Sequence, residues 1–193
     1  MRYFFDTEFI EDGRTIELIS LGMVAADGRE FYAISAEYKR DRADPWLFDH
    51  VFDKLEIPAL GIQVASPQKR TAIRDQLLNF VQADADPDLE IWGAWCAYDW
   101  VVLRQLFGKM VAAPATWPRF CFDVIPWAAQ LGLTPEDLTP APPHQHNALV
   151  DARWTQQLWR DCEQVAQAQV AQAQVAQAQV AQAQATSRRA APR

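Results

Sequence analysis

The first 34 residues, MRYFFDTEFIEDGRTIELISLGMVAADGREFYAI, carry the strongest structural signal in the chain. Three segments rich in apolar and β-branched residues, at 3–5, 16–26 and 31–34, follow one another with a turn signal between each pair. The second turn is Asp27-Gly28, a dipeptide typical of two-residue β-hairpins. The stretch therefore predicts a three-stranded antiparallel meander at the start of the fold.

The rest of the chain mixes strand and helix patterns. Hydrophobic periodicity predicts the remaining elements, which are helix 45–55, a helix that starts at Ser66-Pro67, strand 89–94, helix 98–107, strand 120–122, a helix capped by Asp123, and helix 148–162. Strands followed by strands mixed with helices indicate an α/β domain with a mixed sheet flanked by helices.

The C-terminal segment has a different composition. Val-Ala-Gln-Ala-Gln occurs four times within 165–184. A five-residue step advances about 140° around a helix, so the valines do not share one face, although alanine and glutamine favour helix. We expect a solvated helix, with disorder as the alternative. The chain is accordingly divided into a domain at 1–164 and a tail at 165–193 that has no catalytic role.

Composition limits the class of protein. The chain has 18 basic and 25 acidic residues, a net charge of −7, which argues against a broad basic surface that coats nucleic acid. It does not argue against an enzyme whose bound divalent cations reverse the local field. Three cysteines without a CxxC motif fit a reducing compartment, and neither a signal peptide nor a membrane span is recognisable. A soluble, cytoplasmic protein with no membrane partner is expected.

Acidic side chains stand at the ends of predicted elements. Asp6 and Glu8 follow an apolar strand start, and residues two apart in a strand point to the same face. Two oxygen ligands side by side suit Mg²⁺ or Mn²⁺. Asp99 lies at the opening of the helix after the strand at 89–94, where the helix dipole also favours an acid.

His146 and Asp151 form a further pair. His146 ends a proline-rich loop, and Asp151 falls in the first turn of the last helix. An anchored carboxylate then lies beside an imidazole on a more mobile segment, which suits a general base. His144 is a second imidazole nearby.

These residues resemble a known set of motifs. Asp6-Thr7-Glu8-Phe9, Tyr98-Asp99 with Leu103, and His146-x-Ala148-x-x-Asp151-Ala152 are similar to the three motifs of the DEDDh 3′→5′ exonucleases, in the same order. That branch of the ribonuclease H-like fold includes RNase T, oligoribonuclease and the polymerase proofreading subunit. The Asp-Thr-Glu-Phe form followed by a long hairpin is most similar to small stand-alone bacterial, mycobacterial-type or phage 3′→5′ exoribonucleases.

The resemblance implies a two-metal phosphodiester hydrolase. Asp6, Glu8, Asp99 and Asp151 would hold two Mg²⁺ or Mn²⁺ ions, and His146, at the family's five-residue offset from Asp151, would be the general base. Phe9, Thr7 and Glu8 would contact the substrate, single-stranded RNA or a 3′ overhang, and the product would be nucleoside 5′-monophosphates. Phe9 has a second interpretation as a core residue.

Two departures from the family pattern affect the substrate. Phe9-Ile10-Glu11 stands where proofreading enzymes have Thr-Thr-Gly, and Cys96 and Tyr98 replace Asn and Phe in the second motif. A 3′→5′ exodeoxyribonuclease on the same site is therefore an alternative, and a catalytically silent nucleic-acid-binding module is another. Eight tryptophans leave apolar surface that would allow a homodimer.

Overall fold

A single mixed sheet forms the centre of the protein. The computed structural model describes residues 1–81 and 88–190, with side chains up to residue 182. The strands in chain order are β1 Arg2–Glu11, β2 Ile16–Ala25, β3 Glu30–Ile34, β4 Glu90–Gly93 and β5 Phe122–Asp123. Their spatial order is β3-β2-β1-β4-β5, with β2 antiparallel to β1 and β3, and β4 parallel to β1 and β5. This confirms the predicted α/β class and is consistent with a ribonuclease H-like fold.

Helices cover both faces of the sheet. The described residues form the α-helices α1 Pro45–His50, α2 Arg70–Val81, α3 Ala97–Gln105, α4 Val124–Gln130 and α5 Ala148–Ala190. Tyr3 and Phe5 of β1 pack with α2 and α3 on one face, whereas Phe4 packs with α4 and α5 on the other. This continuous apolar run suits a central strand that is buried on both faces.

Two of the predicted helices need correction. The second predicted helix starts at Arg70 and not at Ser66-Pro67, because the backbone of Gln68 pairs with the segment after β3. Helix 45–55 is shorter than predicted: it ends at His50, and a 3₁₀ turn follows at Phe52–Lys54.

The repeat segment continues α5 to Ala190. Val170, Val175 and Val180 are each more than half exposed, as expected from a repeat that does not build an apolar stripe. The predicted division between 164 and 165 stays a prediction, since the helix runs through it without interruption. Within the described ranges, no helix is long and apolar enough to cross a bilayer.

Candidate active site

The carboxyl end of β4 leaves room beside β1 for the candidate site. β1 pairs with β4 only from Arg2 to Phe4, and the chain then leaves β4 to form α3. Asp6 and Glu8 lie in the part of β1 beyond this pairing and, two residues apart, point to one face. Glu8 is buried, and Asp6 is partly exposed.

Asp99, in the first turn of α3, reaches the open edge of β1. Its Oδ1 accepts hydrogen bonds from the Thr7 backbone N–H at 3.1 Å and from the Thr7 hydroxyl at 2.6 Å. Thr7 is buried, and its hydroxyl is engaged with a carboxylate and not with the open face of the site. The predicted role of Thr7 as a substrate contact stays a prediction. Its two hydrogen bonds to Asp99 show that Thr7 holds this carboxylate in position.

Two glycines allow the helices to approach the strands. Gly22 lies opposite Asp6 in the β1–β2 register, and a Cβ at this position would lie 2.2 Å from the carbonyl oxygen of Ala148, the first residue of α5. A Cβ on Gly93 would lie 2.3 Å from the Cβ of Cys96, which precedes α3. Each glycine therefore brings the start of one acid-bearing helix against the sheet.

The start of α5 is built from local hydrogen bonds. Asn147 caps the helix, its Oδ1 accepting from the backbone N–H groups of Leu149 and Val150 at 3.1 Å each. One oxygen of Asp151, Oδ2, accepts from the His146 backbone N–H at 2.7 Å. The other, Oδ1, is buried and has no hydrogen-bond partner among the described residues.

The acids converge with the imidazole. Glu8, His146 and Asp151 each offer a ligand atom, and the three atoms lie within 4.8 Å of one another. Burial raises the pKa of Asp6 well above its ordinary value, and Asp99, Glu8 and Asp151 raise it further. All four carboxylates are therefore close enough to repel one another.

The same conflict appears at the other acids. Burial, then Asp151 and Asp99, raise the pKa of Glu8. Burial also raises the pKa of Asp151 to about 6 and that of Asp99, where the hydrogen bonds from Thr7 oppose the shift. Divalent cations would remove this repulsion, and the unpartnered Asp151 Oδ1 gives them a free oxygen ligand. The residues fit Mg²⁺ or Mn²⁺.

His146 faces this cluster from the loop before α5. Its backbone is left-handed, with φ 68°, and its ring lies edge-on to Trp46 with centroids 4.8 Å apart. Burial lowers its pKa, and the nearby Lys54 and His50 lower it further. At neutral pH the imidazole is therefore mainly uncharged and able to accept a proton. His144 is exposed and is not one of the three converging groups.

Two aromatic residues flank the acids. Phe9 follows Glu8, Tyr98 precedes Asp99, and their rings stack with centroids 6.1 Å apart and planes 11° apart. Phe9 is half-buried against the main core, whereas Tyr98 is 61% exposed. Phe9 thus has a packing role in this structure, and its predicted contact with a base stays a prediction.

Several residues that build the site had no assigned role in the sequence predictions. Gly22 could have been found, because glycine inside an apolar strand marks a close approach of backbone. Asn147 could also have been found, because asparagine directly before a helix is a cap. No local pattern identifies Lys54 or Trp46, whose proximity to His146 comes from the tertiary fold.

Comparison with known proteins identifies the family of this chain. The 3′-5′ exoribonuclease Rv2179c-like domain family matches residues 1–163. The chain belongs to this family. It is 46% identical over 153 residues to the 3′-5′ exoribonuclease Rv2179c of Mycobacterium tuberculosis strain H37Rv and, to the same extent, to the 3′-5′ exoribonuclease MT2234.1 of strain CDC 1551 / Oshkosh. The match covers 79% of this chain and 88% of each relative, and the family description indicates a nuclease hydrolase.

Proposed function

We propose that this chain hydrolyses RNA from its 3′ end and releases nucleoside 5′-monophosphates, as a DEDDh enzyme of the ribonuclease H-like fold. The observation that carries the proposal is the convergence of Glu8, Asp151 and the His146 ring, with Asp6 and Asp99 close enough to raise the pKa values of the group. Membership of an exoribonuclease family supports the reaction and the substrate class.

The carboxylates would hold two divalent cations, Mg²⁺ or Mn²⁺. By the resemblance to the DEDDh enzymes, Asp6, Glu8 and Asp151 would hold one of them, and Asp99 would help to hold the other. When bound, the cations supply the charge that neutralises the carboxylates and stabilises the attacking and leaving oxygens of the phosphodiester. Thr7 keeps Asp99 in place through two hydrogen bonds, and the capped start of α5 keeps Asp151 in place.

His146 is the general base of the proposed reaction. Its neutral imidazole accepts a proton from the water that attacks the terminal phosphodiester. The anchored Asp151 carboxylate holds the His146 backbone N–H at 2.7 Å, so the imidazole stays beside the acids. Phe9 and Tyr98 offer an aromatic surface next to Glu8 and Asp99 for the terminal base of single-stranded RNA or a 3′ overhang.

An assay with labelled oligonucleotides tests the proposal. With Mg²⁺ or Mn²⁺, 3′-labelled single-stranded RNA should give labelled mononucleotide at once, and 5′-labelled RNA should shorten stepwise. EDTA should abolish both, and Asp6→Asn should be inactive, which excludes a contaminating nuclease. Activity that persists in EDTA, or RNA binding without cleavage, would contradict the proposal. DNA of the same sequence separates the ribonuclease from an exodeoxyribonuclease, which would degrade the DNA faster.

We also propose that the protein is cytoplasmic and forms a homodimer. A chain with three free cysteines suits the cytoplasm, where RNA substrates are present. Exposed Trp46 and Trp95 offer apolar surface for a homodimer. Light scattering after size-exclusion chromatography distinguishes a dimer from the 21.9 kDa monomer.

A further inference from the structure

Lys54 is bonded to both neighbours of His146. Its Nζ donates to the carbonyl oxygen of Gln145, the residue before His146, at 2.8 Å. In return, Nδ2 of Asn147, the residue after His146, donates to the backbone carbonyl of Lys54 at 2.7 Å. One residue from a distant part of the chain therefore fixes the loop on each side of the imidazole.

The segment that carries Lys54 is itself firmly held. Lys54 ends the 3₁₀ turn Phe52–Lys54, in which Phe52 is buried, and the preceding Val51 is fully buried. The next carbonyl, that of Leu55, accepts a hydrogen bond from the Tyr32 hydroxyl of β3 at 2.7 Å. The tie to Gln145 thus connects the loop to the core of the domain and not to another loop.

The loop needs such a tie because its conformation is unfavourable. Both His144 and His146 have left-handed backbones, with φ 67° and 68°. Residues with a Cβ adopt this region at a cost and stay there only when the surroundings hold them. His146 is also only half-buried, so the packing of its own side chain provides limited restraint.

We infer that Lys54 is a positioning residue for the hydrolysis: its ammonium group, bonded to the Gln145 carbonyl, holds the His146 loop in the left-handed conformation that turns the imidazole toward Glu8 and Asp151. The inference rests on the proposed function for its catalytic consequence. The backbone carbonyl of Lys54 still accepts from Asn147 when the side chain is changed, so the capped start of α5 survives the substitution.

Lys54→Met tests this inference in the full-length chain. The substitution keeps the length of the apolar side chain and removes the donor. Because a hydrogen bond from a charged group is lost, kcat at saturating RNA and Mg²⁺ should fall about 10- to 100-fold, while KM should change less than about threefold. Lys54→Arg keeps a charged donor and should restore kcat to within several-fold of wild type. Lys109→Met, an exposed lysine outside the cluster, is the matched control and should behave as wild type.

Backbone amide exchange gives a readout that does not depend on activity. The His146 N–H, bonded to Asp151 in the parent, should exchange faster in Lys54→Met and at the parent rate in Lys54→Arg. If the wild-type chain cleaves no RNA, the proposed function fails, while the exchange data still test the tie between Lys54 and the loop.

Three results would overturn the inference. The first is unchanged kcat and unchanged exchange in Lys54→Met. The second is a rise in KM with kcat preserved, which would make Lys54 a contact for the RNA backbone. The third is a Lys54→Arg variant that folds but is as slow as Lys54→Met. If Lys54→Met fails to fold, the Arg variant decides alone: near-parent kcat and exchange support the inference, and loss of either overturns it.

Discussion

Replacing Gly22 by alanine should move the start of α5, which carries Asp151, away from the acids of β1. The added Cβ would lie 2.2 Å from the Ala148 carbonyl oxygen, 2.3 Å from its carbonyl carbon and 2.4 Å from the Leu149 nitrogen. All three are backbone atoms, so no side-chain rotation relieves the contact. Ordinary contacts lie near 3.5 Å, so the start of α5 has to move by about 1 Å or more.

The size of the effect follows from this displacement. Overpacking of this kind costs about 1–3 kcal/mol, which for a domain of this size lowers Tm by roughly 2–12 °C. Asp151 and the His146 loop move with α5, whereas Asp6 and Glu8 stay on β1. A misplacement of about 1 Å within a catalytic group lowers turnover about 10²-fold, so most of the activity should be lost in a variant that still folds.

Thermal unfolding and the 3′-labelled RNA assay measure the two effects in the same preparation. Gly13→Ala is the control, because Gly13 has φ 77° and a Cβ added there would meet no atom within 4 Å, so this variant carries only the backbone cost of a left-handed alanine. It should lose some stability and keep its activity. A Gly22→Ala variant with parental Tm and turnover would refute the close approach of α5 to β2.

Four further predictions concern the acids, the base and the cap. In EDTA the protein should lose stability as pH rises from about 4 to above 6. The pKa values of Asp6 and Asp151 are raised in the folded state, to about 6 for Asp151, so the native state binds protons more tightly than the unfolded chain. Mg²⁺ should restore Tm at pH 7.5, and a Tm that does not change with pH would contradict this prediction. Asp6→Ala and Asp151→Ala should fold normally and lose turnover by several orders of magnitude, measured by RNA hydrolysis and circular dichroism. His146→Ala should lose about 10²–10⁴-fold in kcat, with His144→Ala near wild type; the reverse order would reassign the base. Asn147→Ala should lower the free energy of unfolding by about 2–4 kcal/mol in urea, since it removes the cap of α5 and the hydrogen bond to the Lys54 carbonyl.

Those parts of the site that depend on local geometry could be predicted from the sequence. The two-residue period of a strand places Asp6 and Glu8 on one face whatever surrounds them. Asp123 caps α4 as predicted, its carboxylate accepting from the Ile125 N–H at 3.0 Å. A capping side chain contacts residues two or three positions away, so its interaction can be predicted from the neighbouring residues.

Contacts between distant segments could not be predicted in this way. Thr7 and Asp99 are 92 residues apart, and Lys54 and Gln145 are 91 residues apart, so no spacing pattern links them. The wrong helix start at Ser66-Pro67 has the same origin: local capping preference favoured a helix there, but pairing of Gln68 beside β3 satisfied its backbone instead.

The candidate site brings several carboxylates together in a buried part of the protein, where ionised groups are poorly solvated. Burial and mutual repulsion raise the pKa values of Asp6 and Glu8, which means that their ionised forms destabilise the native state. Two features of the chain oppose this. The first turn of α5 presents the positive end of its helix dipole near Asp151, and the Lys54 ammonium lowers the pKa values of Glu8 and Asp151. Both are weaker than a divalent charge held directly by the carboxylates, so cation binding and the stability of this end of the sheet should be thermodynamically coupled.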